Sequence, residues 1–200
     1  MKPIKTIAAL EEIYGEANPR SLTKVVTQMT PLYREWIEAC RFVVISTVGP
    51  EGTDGSPRGD DGSVVTIADD KTLLMPDWFG NNRVDTLRNV VRDERVSLMF
   101  MIPSSTNVVR VNGTGIVTDD AEVLKRFEKK GKLPRSVLAI TITEMYFQCA
   151  KALMRSKLWS DEQSDQKVPT AGAFVKERDA MFDADGYDAG YPEYAKSRMW

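Results

Sequence analysis

The sequence predicts a mainly β, α+β fold: a small barrel or roll of antiparallel strands with flanking helices. Three observations predict it. Apolar runs of strand character recur at short spacing from Arg41 to Phe147, divided by turn clusters such as Gly49-Pro50-Glu51-Gly52 and Asp69-Asp70-Lys71. Only two helical segments interrupt these runs, so the regular strand–helix alternation of a doubly wound sheet is missing. Gly113 and Gly115 fall inside the longest run, where barrels bend a strand to close.

The elements follow in chain order. Apolar residues at 4, 7, 10, 13 and 14 have helical spacing, and Gly15 is a stop. Asn18-Pro19-Arg20 breaks the chain, and Ser21 caps a short helix through Val26. Thr30-Pro31 starts a helix over 31–40, with Thr at the N-cap and Pro at the first helical position. It sets Leu32, Trp36 and Ala39 on one side. Residues 41–48 form a strand, Ser56–Asp60 is extended, 63–68 is a strand, and Asp69-Asp70-Lys71 turns into a strand over 72–75. After the Gly80-Asn81-Asn82 loop, a helix over 83–92 buries Val84, Leu87, Val90 and Val91. Residues 95–102 are almost continuously apolar, as in a strand buried on both faces. Pro103-Ser104-Ser105 returns the chain into a long strand, 107–118. Asp119 caps a helix over 120–130 that Gly131 ends, and 137–147 is the last strand. Residues 149–159 are helix-compatible and basic. The stretch 161–200 is an acidic tail ordered by one helix near 171–182.

The 200 residues suit one sizeable core, and a net charge of −2 gives no footprint for nucleic acid or an anionic membrane. No apolar run approaches a membrane span, and the start Met1-Lys2-Pro3-Ile4-Lys5 lacks a signal-peptide core, so a cytoplasmic protein is expected. The two cysteines, Cys40 and Cys149, read as buried free thiols. There is no histidine. That excludes Ser-His-Asp and Cys-His hydrolases and His-ligated metal or haem sites. No metal site is expected. Chemistry here rests on carboxylates, Lys, Tyr, Cys or a cofactor that brings its own.

The loop Asn81-Asn82-Arg83 is the first candidate site. Arg offers paired, charge-assisted donors to phosphate oxygens, and Asn donates through its amide. The helix that follows adds free backbone N–H groups and the positive end of its dipole. The competing reading is a solvated helix cap with an ordinary surface Arg. Arg58, within Ser56-Pro57-Arg58-Gly59-Asp60, is the second, and Gly59 lets a ligand approach the backbone. Its alternative is a hairpin ion pair with Asp60 or Asp61. Asp77 is either a ligand contact or a turn carboxylate. Residues 149–159 serve equally as an amphipathic interface helix. Asp183-Ala184-Asp185-Gly186 lacks the outer positions of a calcium loop, and Gly113-Thr114-Gly115 lacks the third glycine of a dinucleotide fingerprint. Glu128-Lys129-Lys130 reads as a solvated face.

Taken together, the segments Ser56–Asp60, Thr72–Asp77, Gly80–Arg83 and Val109–Gly113 resemble the flavin-binding split-barrel family that includes pyridoxamine 5′-phosphate oxidase. The resemblance is greatest to its predicted flavin-nucleotide-binding members and extends over about 35–160. It implies a six-stranded antiparallel split barrel over 41–160, behind a helical segment 1–40 and before the tail 161–200. It also implies a homodimer with two FMN molecules at the subunit interface. By this resemblance Asn81, Asn82 and Arg83 correspond to the family's Ser-Arg-Lys phosphate loop, without its Lys. Arg58 with Gly59 reaches the same phosphate. Pro76 and Asp77 meet the ribityl chain or the pyrimidine edge. Lys151, Arg155 and Ser156 reach the flavin from the partner subunit, and Trp159 covers the ring. Gln148 stands where the subfamily usually has His. The Lys and Arg-x-His elements that hold pyridoxamine phosphate itself are absent.

The implied function is an FMN-dependent oxidoreductase acting on a small substrate or a reduced nicotinamide, with no catalytic residue assignable. The alternatives are a flavin carrier, sensor or stress protein without turnover, and a deazaflavin-dependent reductase on the same fold.

Overall fold

Seven strands pair antiparallel in one sheet with the order β2-β1-β5-β6-β7-β4-β3. They are β1 (Phe42–Gly49), β2 (Gly52–Gly59), β3 (Thr66–Ile67), β4 (Thr72–Asp77), β5 (Arg95–Met101), β6 (Val108–Thr118) and β7 (Ser136–Gln148). This computed structural model describes residues 1–163 and 167–199. The architecture is the expected split barrel, with seven strands in place of six. β3 is only a two-residue strand pairing Thr66–Ile67 with Leu73–Leu74, where the sequence predicts a run over 63–68. β2 extends over the whole of Gly52–Gly59, longer than the predicted extended stretch from Ser56, and the expected turn at Gly49–Gly52 closes a tight hairpin with β1.

Alternation along the strands fills the interior. Val43 and Ile45, Leu98 and Phe100, Val109 and Val111, and Ile140 and Ile142 are all buried with Leu73 and Met75. The register slips between Asn112 and Gly113, leaving Thr143 as the extra residue of β7. The inward series therefore jumps from Ile142 to Met145. Gly113 is obligatory at this bulge, because a Cβ there would lie 2.0 Å from the Thr141 carbonyl oxygen.

Eight helices surround the sheet among the described residues: α1 (Ile7–Tyr14), α2 (Pro19–Thr23), α3 (Pro31–Ala39), α4 (Asp85–Arg92), α5 (Ala121–Lys125), α6 (Lys151–Ser156), α7 (Ala171–Arg178) and α8 (Ala184–Lys196). α3 buries Ile37 and its C-cap Cys40, whereas Leu32, assigned to the inner face by spacing, is 78% exposed. α4 buries Val90 and partly buries Leu87 as its apolar spacing predicts, but Val84 and Val91 are exposed and Thr86 and Asn89 are buried in their place. Polar side chains with partners fit there: Asn89 Nδ2 donates to Thr47 Oγ1 at 3.1 Å. α5 is shorter than the expected 120–130 helix, and its cap is Asp120, whose carboxylate accepts from Glu122 N and Val123 N.

Cys40 is buried as expected, and burial raises its thiol pKa; Cys149 is exposed. The tail holds a second helix that its glycines and Pro192 conceal in the sequence. Asp183 caps that helix by accepting from Gly186 N. Gly172 N donates to Asp188 Oδ1 at 2.8 Å, locking α7 to α8. No helix among the described residues is long and apolar enough to cross a membrane.

Candidate anion-binding site

The site begins with the alternation of β2. Asp54, Ser56 and Arg58 lie on its half-buried side, and Thr53, Gly55, Pro57 and Gly59 on its exposed side. The first turn of α4 lies against this row: Thr86 Oγ1 donates to Asp54 Oδ2 at 2.5 Å and lies 3.0 Å from Ser56 Oγ. At the other end of the row Arg58 Nη2 is 3.5 Å from Asp77 Oδ1, with side chains 30% and 19% exposed. β2 and β4 are far apart in the strand order, so this pair spans the split where the curled sheet brings its two margins together.

A second guanidinium completes the group. Arg135 follows Pro134 and directly precedes β7; the pairing of Ser136 with Asp77 carries it to the end of β4. Its N–H donates to the Asp77 carbonyl at 3.1 Å. Its Nη1 donates to Asn82 Oδ1 at 2.6 Å, and its guanidinium carbon lies 4.7 Å from the Phe79 ring centroid. Burial pushes the Asp77 carboxyl up from its ordinary range, and the charges of Arg58 and Arg135 oppose that shift. The half-buried Arg58–Asp77 pair, with the exposed Arg135 guanidinium nearby, leaves a net positive charge for an anion.

The adjoining loop carries backbone strain. Asn82 has φ 62° and Val84 φ 48°. The left-handed region is a genuine outlier for a β-branched residue, and such strain concentrates at functional sites. Val84 is the N-cap of α4 yet gives no side-chain cap, so the first amides of the helix have no side-chain acceptor at that position. Successive amides in such a turn form a concavity suited to anions. Asn81 Oδ1 accepts from Arg83 N at 3.0 Å.

The predicted residues are thus brought together in part. Arg58, Asp77 and Asn82 form one group through Arg135. Arg83 is on the loop, but its side chain is 80% exposed and pairs with Asp85 at 2.5 Å. It lines a cleft of about 360 Å³ with Glu51, Asp54, Arg88 and Arg92. Asp60 and Asp61 do not hold Arg58; both pair with Lys129, which is therefore no mere solvated face. Pro76 walls a separate cavity of about 190 Å³ with Trp78 and Phe127. Lys151, Arg155, Ser156 and Trp159 are all exposed. Ser156 Oγ donates to Leu153 O, and Trp159 Nε1 to Ser105 O at 2.8 Å, which places the end of this segment beside the β5–β6 turn. Ser56, Thr86 and Arg135 are site residues that the sequence reading passed over. The period-two relation of Ser56 to Arg58 is a signal for the first, and Arg135 has none before the pairing of β4 with β7 is known. Among the described residues no group of three or more ligating side chains could hold a metal ion.

A family model described as pyridoxamine 5′-phosphate oxidase matches residues 29–149. A HupZ variant from Group A Streptococcus is similar in structure, with a TM-score of 0.50 at 17% identity over 60% of this chain and 98% of that one. A candidate pyridoxamine 5′-phosphate oxidase from Lactobacillus delbrueckii gives a TM-score of 0.48 at 23% identity, covering 60% and 95% of the two chains. General stress protein 26 of Bacillus anthracis gives 0.43 at 14% identity, covering 57% and 88%. No curated protein matches the chain.

Proposed function

The chain belongs to the pyridoxamine 5′-phosphate oxidase family, and from that premise we propose that it binds FMN through the phosphate and acts as a flavin-dependent oxidoreductase. The observation that carries the reading is the Arg58–Asp77–Arg135 group beside the uncapped start of α4. A phosphate monoester suits the donors present: the Arg58 guanidinium, the amides of Asn81 and Asn82, Arg83, and the first N–H groups of the helix. Bound FMN supplies exchange of a hydride with a small substrate or a reduced nicotinamide.

The chain's own work is to bind and orient. Arg58 anchors the phosphate, and exposed Gly59 leaves its approach open. Arg83 swings from Asp85 onto the same phosphate. Pro76 and Asp77 lie towards the ribityl chain and ring. Lys151, Arg155, Ser156 and Trp159 come from the partner subunit of a homodimer, and Trp159 covers the ring. The protein is cytoplasmic in this reading. The chain has no histidine, which also favours a second reading, a flavin carrier or sensor without turnover. A deazaflavin in the same site is the third.

Purified protein is expected to be yellow and to release on heating a fluorescent flavin that runs as FMN. Colourless protein that also fails to take up added FMN overturns the reading, and a released deazaflavin transfers it to that cofactor. Oxidation of reduced nicotinamide by the loaded protein separates the enzyme from the carrier.

A further inference from the structure

We propose that Arg135 is a positioning residue: it fixes the carboxamide of Asn82 so that both amide N–H donors face a bound phosphate. The inference rests on the phosphate-binding reading above. It begins with a constraint of hydrogen-bond chemistry. A guanidinium can only donate, so the Asn82 atom 2.6 Å from Arg135 Nη1 must be the oxygen. The NH₂ of Asn82 then points the other way. A carboxamide free to rotate would present its oxygen to an anion half the time; this one presents donors only.

Arg135 is exposed but anchored at several points. Its backbone is tied to Asp77 O at 3.1 Å, its guanidinium lies over Phe79, and its charge is felt by the Asp77 carboxylate. Phe79, Asn82 and the end of β4 thereby all meet Arg135, the last of them through its backbone. The contact also stabilises Asn82 at φ 62°, a conformation that Asn tolerates better than most residues. Asn81 shows the same arrangement, its oxygen engaged by Arg83 N at 3.0 Å and its NH₂ turned away. Two neighbouring carboxamides thus have their acceptors occupied internally, and the site is built from donors.

The test is a double-mutant cycle on flavin binding. Arg135→Met keeps a long apolar side chain against Phe79 and removes the donor to Asn82. Asn82→Ala removes the carboxamide. Affinities for FMN and riboflavin are measured for wild type, both single variants and the double variant. Asn82→Ala is expected to lose roughly tenfold or more for FMN, the worth of one charge-assisted hydrogen bond, and Arg135→Met a smaller, about two- to fivefold, loss, with riboflavin unchanged in both. The double variant is expected to match Asn82→Ala alone, because Arg135 acts through Asn82. Losses that multiply overturn the inference and make Arg135 an independent phosphate cation. Equal losses for both flavins also overturn it, since Arg135 then supports only the fold. Should Arg135→Met fail to fold, Asn82→Asp serves: it keeps the acceptor for Arg135 and removes both donors. Undiminished FMN affinity in that variant overturns the inference. Wild-type protein that binds no FMN overturns the flavin reading itself, a result distinct from these.

Discussion

Asp77 sits between two arginines, and its environment pulls its titration in opposite directions. Burial raises its pKa and is the larger effect; Arg58 and then Arg135 lower it. A carboxyl with a raised folded pKa favours the protonated form. Its contribution to stability is therefore fully present below the ordinary carboxylate range and is lost as pH rises through its folded value. Asp77→Asn is expected to flatten that part of the stability–pH curve, checked by denaturant melts at several pH values. The carboxylate also competes with a phosphate for the Arg58 guanidinium. The same variant should bind FMN more tightly at neutral pH, by roughly tenfold if about 1.4 kcal/mol of competition is removed, with riboflavin hardly changed. Equal weakening of both flavins would assign Asp77 to the ring. Arg83 offers a cleaner case, since its side chain is 80% exposed and paired only across two residues. Arg83→Ala should leave folding stability within about 0.5 kcal/mol. It should weaken FMN by about ten- to a hundredfold, the worth of about 1.5–3 kcal/mol, and spare riboflavin. Unchanged FMN affinity would make Arg83 a surface residue of the cleft beside α4.

Among the elements, the strands were legible because their apolar periodicity is the core itself: Val43, Ile45, Leu98 and Phe100 are all buried. The helices were legible in position and only partly in orientation. α4 docks through Thr86 and Asn89, polar residues that apolar spacing cannot assign to an inner face. α8 was hidden by Gly186, Gly190 and Pro192, each a breaker taken alone. The site divides in the same way. Arg58 and the Asn81-Asn82-Arg83 loop stand out locally because turn chemistry marks them. Arg135 does not, because only the pairing of Asp77 with Ser136 brings it across 53 positions to Asn82. The bulge in β6 and β7 gives this scale its test. Gly113→Ala would put a methyl 2.0 Å from the Thr141 carbonyl oxygen, a backbone atom that cannot rotate away. It is expected to cost about 1–3 kcal/mol, read from denaturant melts. Gly55→Ala, with nothing within 4 Å of its added Cβ, is the matched control and should stay within about 0.5 kcal/mol. Equal stability of the two would mean that the bulge relaxes freely.

At the scale of the whole molecule, the surface is less finished than the interior. α1 has no buried residue, and Ile7, Ile13 and Tyr14 are all exposed on it. Phe42 and Met99 are exposed on the outer side of neighbouring strands β1 and β5, and Arg110 presents a buried Nε without a partner on adjacent β6. Scattered apolar residues are ordinary, but a helix with no buried residue and a partly apolar sheet face on one chain favour burial against another copy. The basic segment around α6 adds a reason tied to the proposed function: Lys151, Arg155 and Trp159 are exposed, and in that reading they meet FMN from a second subunit. The protein is therefore expected to run in light scattering as a dimer of about twice 22.4 kDa, holding one FMN per chain. In that dimer Arg155→Ala and Trp159→Ala should weaken FMN binding. Mixing either variant with Arg58→Ala should restore a fraction of full-affinity sites, because each heterodimer assembles one intact site from an unmutated half of each chain. A monomer that binds FMN with wild-type affinity, or mixed variants that recover nothing, would place the whole cofactor site within a single chain.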